Sequence, residues 1–310
     1  ETPEALLADP AVDIVCLCTP SGDHLAPALA CAKAGKHVVV EKPLEVTLAR
    51  CDELTAACAK AGVTVAGILP RRFGAGAVAL KAALEAGRFG KLTLAGALIP
   101  WWRTQAYYDS AAWRGTFALD GGGAAMNQGI HTIDLLLWFL GAPKRVSATA
   151  GLVAHDGIEV EDIAAGWIEF ANGCRATLAS STACWSGTGF PAEIRIHGTT
   201  GAAVLRDDKL TAFEFEKPLP ADATVIAPAT EGGGAGANDP KAIGHAWHRA
   251  NLEEAVAAIR AGRQPAVNGA EGRKAVELIL ALYQSAQAGG TPVDLPLMRD
   301  PELRKLGEKK

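Results

Sequence analysis

The stretch His37-Val38-Val39-Val40-Glu41-Lys42-Pro43 decides the fold: an apolar run ends in two charged residues and a proline. A short, continuous run rich in β-branched residues reads as a buried strand. Proline stops strand pairing because it has no N–H to donate. It also biases Lys42 towards an extended backbone and makes a cis Lys42-Pro43 bond accessible. Ligands of open α/β sheets bind at the carboxyl edge of the strands, which is where this corner would place Glu41 and Lys42. The alternative is a plain strand-to-helix turn with solvated charges, so the neighbouring sequence has to decide.

Outward from this corner, residues 1–90 alternate strand and helix. Val12–Cys18 is a nearly continuous apolar run ending at Thr19-Pro20 and predicts a strand buried on both faces. A helix follows from His24 to Ala34, stopped by Gly35. After His37–Val40 come a helix over Thr47–Ala61 closed by Gly62, a third strand Val63–Leu69, and a helix over Ala75–Ala86 before Gly87. This order predicts parallel strands with right-handed crossovers, half of a doubly wound sheet. No G-x-G-x-x-G stands between a strand and a helix. Gly74-x-Gly76 lacks the third glycine, and Gly232-Gly233-Gly234-Ala235-Gly236 reads as a loop, not a phosphate cradle.

From Lys91 the pattern changes. Leu92–Ile99, Arg145–Val153, Asp162–Phe170, Cys174–Ser181, Glu193–His197 and Ala202–Leu205 read as strands, with Lys209–Phe215 extending them. Asn172-Gly173 is a hairpin signal. Helices are predicted over Ala124–Leu140, Pro240–Arg260 and Gly269–Ala288. The fold class is α/β: a partial doubly wound sheet in a domain of residues 1–90, then an α+β domain of residues 91–310 with a large, mostly antiparallel sheet.

Composition narrows the function classes. Hydrophobic residues make up 49% of the 310 and charged residues 21%, as in ordinary globular domains. A net charge of −4 gives no footprint for nucleic acid, and the apolar runs are too short to span a membrane. The seven cysteines, without C-x-x-C spacing, read as buried thiols of a reducing, cytoplasmic setting. His245-x-x-His248 has helical spacing but no third ligand in view, so it reads as surface histidines and no metal site is expected.

The helix entered through Gly121-Gly122-Gly123 carries a second cluster. Asn127, His131 and Asp134, spaced by four and three, share one helical face, opposite Leu135, Leu136, Trp138 and Phe139. A polar stripe on an apolar helix is costly to bury unless it is satisfied or used. Taken alone, His131 reads as a hydrogen-bonded core histidine more readily than as a catalyst. The glycines allow close approach, either by a ligand or by a neighbouring strand.

Taken together, these blocks resemble the glucose–fructose oxidoreductase / inositol dehydrogenase / rhizopine catabolism (Gfo/Idh/MocA) family of NAD(P)-dependent oxidoreductases. The matching segments are Asp13-Ile14-Val15 leading to Thr19-Pro20-Ser21-Gly22-Asp23-His24, Ala34-Gly35-Lys36-His37-Val38 leading to Glu41-Lys42-Pro43, and Trp113-Arg114. Gly121-Gly122-Gly123 and Met126-Asn127-Gln128-Gly129-Ile130-His131-Thr132-Ile133-Asp134 continue the match, and a weaker block runs from Glu271-Gly272-Arg273 to Tyr283-Gln284-Ser285-Ala286. The family begins with a strand and a glycine-rich turn, which this sequence does not display. We therefore expect the displayed chain to lack that N-terminal part of the nucleotide-binding (Rossmann) domain.

The resemblance implies a dehydrogenase or reductase using NAD or NADP on a secondary hydroxyl or ketone of a sugar, cyclitol or related polyol. Lys42 and His131 would handle the proton, with Asn127 beside them; the family more often has aspartate at that position. An amide orients a hydroxyl but takes no proton. It further implies cofactor contacts from Thr19, Pro20, His24, Glu41, Lys42, Trp113, Arg114 and Gln128. Substrate contacts are placed at Arg71, Trp101, Arg103, Tyr107, Asn127 and His131, with Tyr108 in the same aromatic cluster. Surface pairing or core packing is the alternative for Glu41, Trp113, Arg114 and the aromatics. The family's assemblies imply a homodimer or homotetramer through the sheet of the second domain. Two rival readings remain: an NAD-dependent glycosidase of the same family, and a non-catalytic sugar-binding or scaffold protein.

Overall fold

The computed structural model describes residues 2–207, 209–226 and 244–309. Helix α1 (Pro3–Ala8) precedes β1 (Ile14–Leu17), α2 (Leu25–Lys33), β2 (His37–Val40), α3 (Leu48–Lys60), β3 (Val65–Gly67) and α4 (Ala75–Glu85). The strands pair in the order β1-β2-β3, both pairs parallel, as the alternation of strand and helix predicts. In the central strand Val38, Val39 and Val40 are all buried, whereas the expectation for β1 fails. β1 lies at the edge of this sheet, and Cys16 within it and Cys18 just after it are exposed, so they are not the buried thiols expected from sequence. Gly35 and Gly62 close α2 and α3 with φ of +71° each, a conformation other residues adopt at a cost.

A larger sheet follows. It is built from β4 (Leu92–Pro100), β5 (Pro143–Gly151), β6 (Ile163–Phe170), β7 (Arg175–Ser181), β8 (Glu193–Gly198), β9 (Gly201–Arg206), β10 (Lys209–Phe215) and β11 (Val293–Asp294). Their order is β10-β9-β8-β4-β7-β6-β5-β11, antiparallel except for the β4–β7 pair. The hairpin at Asn172-Gly173 forms, with Gly173 at φ +87°. Helix α5 (Gln105–Asp109) leaves β4, a π-turn spans Ala124–Gly129, and α6 (Ile130–Leu140) continues from it. Short α7 (Asp222–Val225), α8 (Ala246–Arg260) and α9 (Gly269–Gln287) complete the chain. The predicted helix over 240–260 thus begins, among the described residues, at Ala246, and the glycine run at 232–236 lies outside them.

One face of the larger sheet presents Ala95, Ala97, Ile99, Ala176, Leu178, Ala164 and Ile168 to a core shared with α6 and α9. That core continues into the three-stranded sheet through Leu17, Val38 and Val40. Arg72, in the turn after β3, locks the layers together. Its Nε and Nη2 donate to Asp134 Oδ2 and Oδ1 at 2.8 and 2.6 Å, and Nη1 donates to Glu271 Oε2 at 2.9 Å. Asp134 therefore pairs with Arg72 instead of joining Asn127 and His131 in a polar stripe. With side chains only 5% and 1% exposed, removing one partner strands a buried charge. We predict that Arg72→Met lowers stability by about 3–5 kcal/mol in urea titration; a change near zero would mean that the ion pair does not hold α6.

Candidate active site

At the carboxyl end of β2 the chain turns through a cis Lys42-Pro43 bond. Buried His24 holds this corner from behind, Nδ1 facing the carbonyls of Pro43 and Leu44 at 3.0 and 3.3 Å and Nε2 that of Thr19 at 3.1 Å. The carboxylate of Glu45 accepts the N–H groups of Leu25 and Val46 and is clasped by Arg50. The corner is thus fixed from below, and Lys42 projects forward.

Lys42 Nζ donates to the carbonyl oxygen of Asn127 at 2.9 Å and to its Oδ1 at 3.1 Å. The carbonyl belongs to the π-turn ahead of α6, a break in α-helical pairing of the kind often found at functional sites. Gly123 lets the turn approach closely: a Cβ there would stand 1.7 Å from the Glu161 carbonyl oxygen. The glycine run thus serves a neighbouring segment, one of the two partners expected for it. The Glu161 carboxylate accepts from Gly123 N, Ala125 N and Tyr283 Oη at 2.8 to 2.9 Å and so anchors the start of the turn. Burial pushes its pKa up to about 7. Asn127 Nδ2 donates to Asp120, whose other oxygen accepts from Gly115 N at 2.8 Å.

Two cavities meet here. One, of about 440 Å³, is lined by Glu41, Lys42, Arg71, Trp101, Arg103, Tyr107, Asn127, Gln128 and His131, with Trp247 and His248 of α8. The other, of about 380 Å³, is bounded by Cys18, Thr19, Pro20, Ser21, Trp113 and Arg114 at the edge of the parallel sheet. Glu41, Lys42, Tyr107 and Asn127 line both.

The structure therefore brings together most of the residues singled out in the sequence, with several exceptions. His24 lies behind the corner and lines neither cavity. Gln128 stands in the larger cavity, donating to Tyr107 Oη at 3.1 Å, and not beside Thr19 and Pro20. Tyr108 points to the core, hydrogen-bonded with Thr182 Oγ1 at 2.8 Å, because consecutive helical residues diverge by about 100°. His248, read as a surface residue, lines the larger cavity. Sequence reasoning missed Asp120, Glu161 and Trp247. Asp120 immediately precedes Gly121-Gly122-Gly123 and Trp247 adjoins His248, the only local signals they carried.

Electrostatics follow from burial and from the excess of cations. Burial pushes the Lys42 ammonium below the ordinary lysine range; Glu41 and Asp120 pull it up, while Arg114 and Arg103 push it down further. Burial, helped by Lys42, Arg71 and His248, holds His131 well below the usual histidine value. His131 is therefore neutral at neutral pH, and its buried Nδ1 has no hydrogen-bond partner among the described residues. The half-buried Lys42 commits two N–H bonds to Asn127, which leaves a third N–H, or a lone pair in the neutral amine, for another group.

Comparison with known proteins places this architecture. A model described as "Oxidoreductase family, NAD-binding Rossmann fold" matches residues 1–67, and one for the GFO/IDH/MocA C-terminal domain matches residues 77–204. This chain belongs to the Gfo/Idh/MocA family. It is a dehydrogenase or reductase whose cofactor is a nicotinamide dinucleotide. The 1,5-anhydro-D-fructose reductase of Ensifer adhaerens is 29% identical over 92% of this chain and 81% of that protein. Myo-inositol 2-dehydrogenase of Thermotoga maritima is 26% identical over 92% and 80%. Among solved structures, the WlbA dehydrogenase of Bordetella pertussis in complex with NADH and UDP-GlcNAcA superposes with a TM-score of 0.85. It is 29% identical, over 96% of this chain and 83% of that one.

Behind the larger cavity, buried His155 bridges Asp162 Oδ2 (Nδ1, 2.9 Å) and the carbonyl of Arg103 (Nε2, 2.8 Å). Both partners only accept, so the ring satisfies them as an imidazolium. Burial opposes that charge, but the bonds to Asp162 and to the Arg103 carbonyl outweigh it and raise the pKa. The stabilisation is therefore complete below the unfolded histidine pKa of about 6.5 and is lost as pH rises through the raised folded value. We predict imidazole ¹⁵N resonances of a doubly protonated His155 at pH 6. The stability gap between the protein and His155→Gln should shrink from pH 6 to pH 9, and a pH-independent gap would exclude the imidazolium.

Proposed function

We propose that the enzyme transfers a hydride between its nicotinamide cofactor and a secondary hydroxyl or ketone of a sugar, cyclitol or related polyol, with Lys42 as the proton-transfer group. The observation that carries this reading is the position of Lys42 in the wall common to both cavities, its amine desolvated and anchored on Asn127. The donor set fits a dinucleotide: Glu41 for a ribose hydroxyl, Thr19 and Pro20 along the sheet edge, and Trp113 with Arg114 as an aromatic surface and a cation. These residues line the smaller cavity and would hold the cofactor, which when bound accepts or returns the hydride. Its shared wall favours the larger cavity as the substrate site, where Trp101 and Tyr107 offer apolar faces and Arg71, Arg103 and Gln128 offer polar contacts.

In the oxidative direction the neutral amine of Lys42 takes the hydroxyl proton as the carbon loses its hydride, so the amine ends as an ammonium. Neutral His131 donates a hydrogen bond to the same oxygen, and the Lys42 ammonium then releases its proton to solvent, directly or by way of His131. In the reductive direction the Lys42 ammonium polarises the carbonyl and then delivers the proton. The division of labour proposed is a nucleotide-binding unit of residues 1–90 and a substrate-binding and oligomerisation unit of residues 91–310.

The test is absorbance at 340 nm, with NAD+ or NADP+ for the alcohols myo-inositol and UDP-GlcNAcA and with NADH or NADPH for the ketone 1,5-anhydro-D-fructose. With an active pair, Lys42→Ala should lower kcat by about 10²–10⁴-fold. Oxidation should gain kcat/KM as pH rises through a midpoint below the ordinary lysine value. Undiminished turnover by Lys42→Ala would remove the assignment.

Assembly is proposed through the outer face of the larger sheet, giving a homodimer or homotetramer. Leu94, Leu98, Ile163 and Trp167 project from that face with exposures of 37 to 54%. The registers place Leu94 and Leu98 of β4 and Ile163 and Trp167 of β6 on one face, two strands apart, with Thr177 and Ala179 of β7 between them. Leu98→Glu with Trp167→Glu should reduce the mass by light scattering to that of one chain with circular dichroism unchanged. An unchanged mass would place the interface elsewhere.

A further inference from the structure

Asp120 is 2% exposed, takes no part in the core and precedes the glycine run. One oxygen accepts from Gly115 N at 2.8 Å and the other from Asn127 Nδ2. The far side of the same amide, Oδ1, accepts from Lys42 Nζ at 3.1 Å. The polarity of the chain is dictated by its ends. A carboxylate only accepts and an ammonium only donates, so the amide between them has one compatible orientation. Any other arrangement leaves a buried donor against a donor.

We propose that Asp120 is the anionic positioning residue of Lys42, acting through the Asn127 amide. The proposal rests on the reading of Lys42 as the proton-transfer group and adds the group that sets its orientation and its charge. An amide does not pass a proton on, so Asp120 stays outside the proton path. Burial raises the pKa of the Asp120 carboxyl, while the bonds from Gly115 N and Asn127 and the charges of Lys42 and Arg114 oppose that rise. In its ionised form it holds Asn127 with the oxygen towards Lys42 and places a negative charge one side chain away. In a buried setting, hydrogen bonds in series polarise one another, which strengthens the Lys42–Asn127 bond most when the amine is charged. Asp120 therefore favours the ammonium and limits how far burial, Arg114 and Arg103 depress the amine.

The groups facing Lys42 are Glu41, Asp120, Arg114, Arg103 and His131. Those facing Asp120 are Lys42, Arg114, Tyr107 and Tyr108. Glu41 is the other carboxylate near the amine, and its Oε2 accepts from the Lys42 backbone N–H at 3.0 Å. Among the described residues the two oxygens of Asp120 accept from Gly115 N and Asn127 Nδ2.

The experiment compares Asp120→Asn, Asp120→Ala and the charge-transposed double variant Asp120→Asn/Asn127→Asp. The Lys42 amine is titrated directly by ¹³Cε–¹⁵Nζ correlation NMR, its resonance assigned by loss in Lys42→Arg. This readout stands whether or not Lys42 proves essential to turnover. Asp120→Asn should lower the Lys42 midpoint by about one unit, and the transposed variant should return it to or above the starting value. With an active substrate, the pH limb of kcat/KM moves the same way, while kcat falls about tenfold or more in Asp120→Asn and KM changes less than threefold. A transposed variant that folds and regains the midpoint separates charge from simple structural loss. An unmoved Lys42 midpoint in folded Asp120→Asn, or a midpoint the transposition does not restore, would overturn the proposal. Movement of the midpoint together with full activity of Lys42→Ala would instead condemn the reading of Lys42 and leave the coupling standing.

Discussion

The Lys42 amine is withdrawn from water and held on the carbonyl and side-chain oxygens of Asn127. A desolvated ammonium is expensive, and these acceptors come from another layer of the protein, 85 residues further along the chain. Much of the surrounding structure can be understood as meeting that requirement. The π-turn frees a carbonyl from helical pairing, Glu161 pins the turn, and Gly123 allows the packing that brings it close. On the other side, His24 and Glu45 hold the corner that projects the lysine, while Arg72 fixes α6 against α9 and the turn after β3.

The charge pattern of the junction links protonation states that a list of residues would treat separately. Arg71, Arg103 and Arg114 gather around Lys42, while Glu41 and Asp120 oppose them. Burial does most to keep His131 neutral and to draw the Lys42 amine towards its neutral form; nearby cations add to it at both groups, while Glu41 and Asp120 oppose it at Lys42. On the proposed reading of Lys42 and His131, a base and a neutral imidazole would both follow from this burial. Proton transfer at neutral pH needs groups tuned in this way, since an ordinary lysine holds its proton too firmly.

Much of this was legible before the structure. β2 and β10 have the boundaries read from the sequence, and the parallel order of the first three strands follows from the helix between each pair, which returns the chain to the end where the previous strand began. Lys42, Asn127, His131, Trp101, Arg103, Tyr107 and Arg114 were chosen from type, spacing and resemblance, and they line adjoining cavities. The failures share a cause. β1 was read as buried from its apolar residues, yet its place at the sheet edge exposes Cys16. Tyr108 adjoins Tyr107 in sequence, and the rotation of a helix separates them. Asp120, Glu161 and His155 are ordinary polar residues in sequence; each gains its role from a partner that only folding brings near.

The sequence by itself determined the order of elements and the residues that end β2, because hydrophobic period and proline chemistry act over a few neighbouring positions. It also determined the family, through blocks whose order and spacing extend along most of the chain. Tertiary structure alone decided which polar groups meet: Asp120 with Asn127, Asn127 with Lys42, His155 with the carbonyl of Arg103. Hydrogen bonds and charges depend on three-dimensional proximity. No local pattern encodes the approach of Lys42 to Asn127, 85 residues on, or of His155 to the Arg103 carbonyl, 52 residues back, and even Asp120 and Asn127, seven apart, meet only through the turn between them.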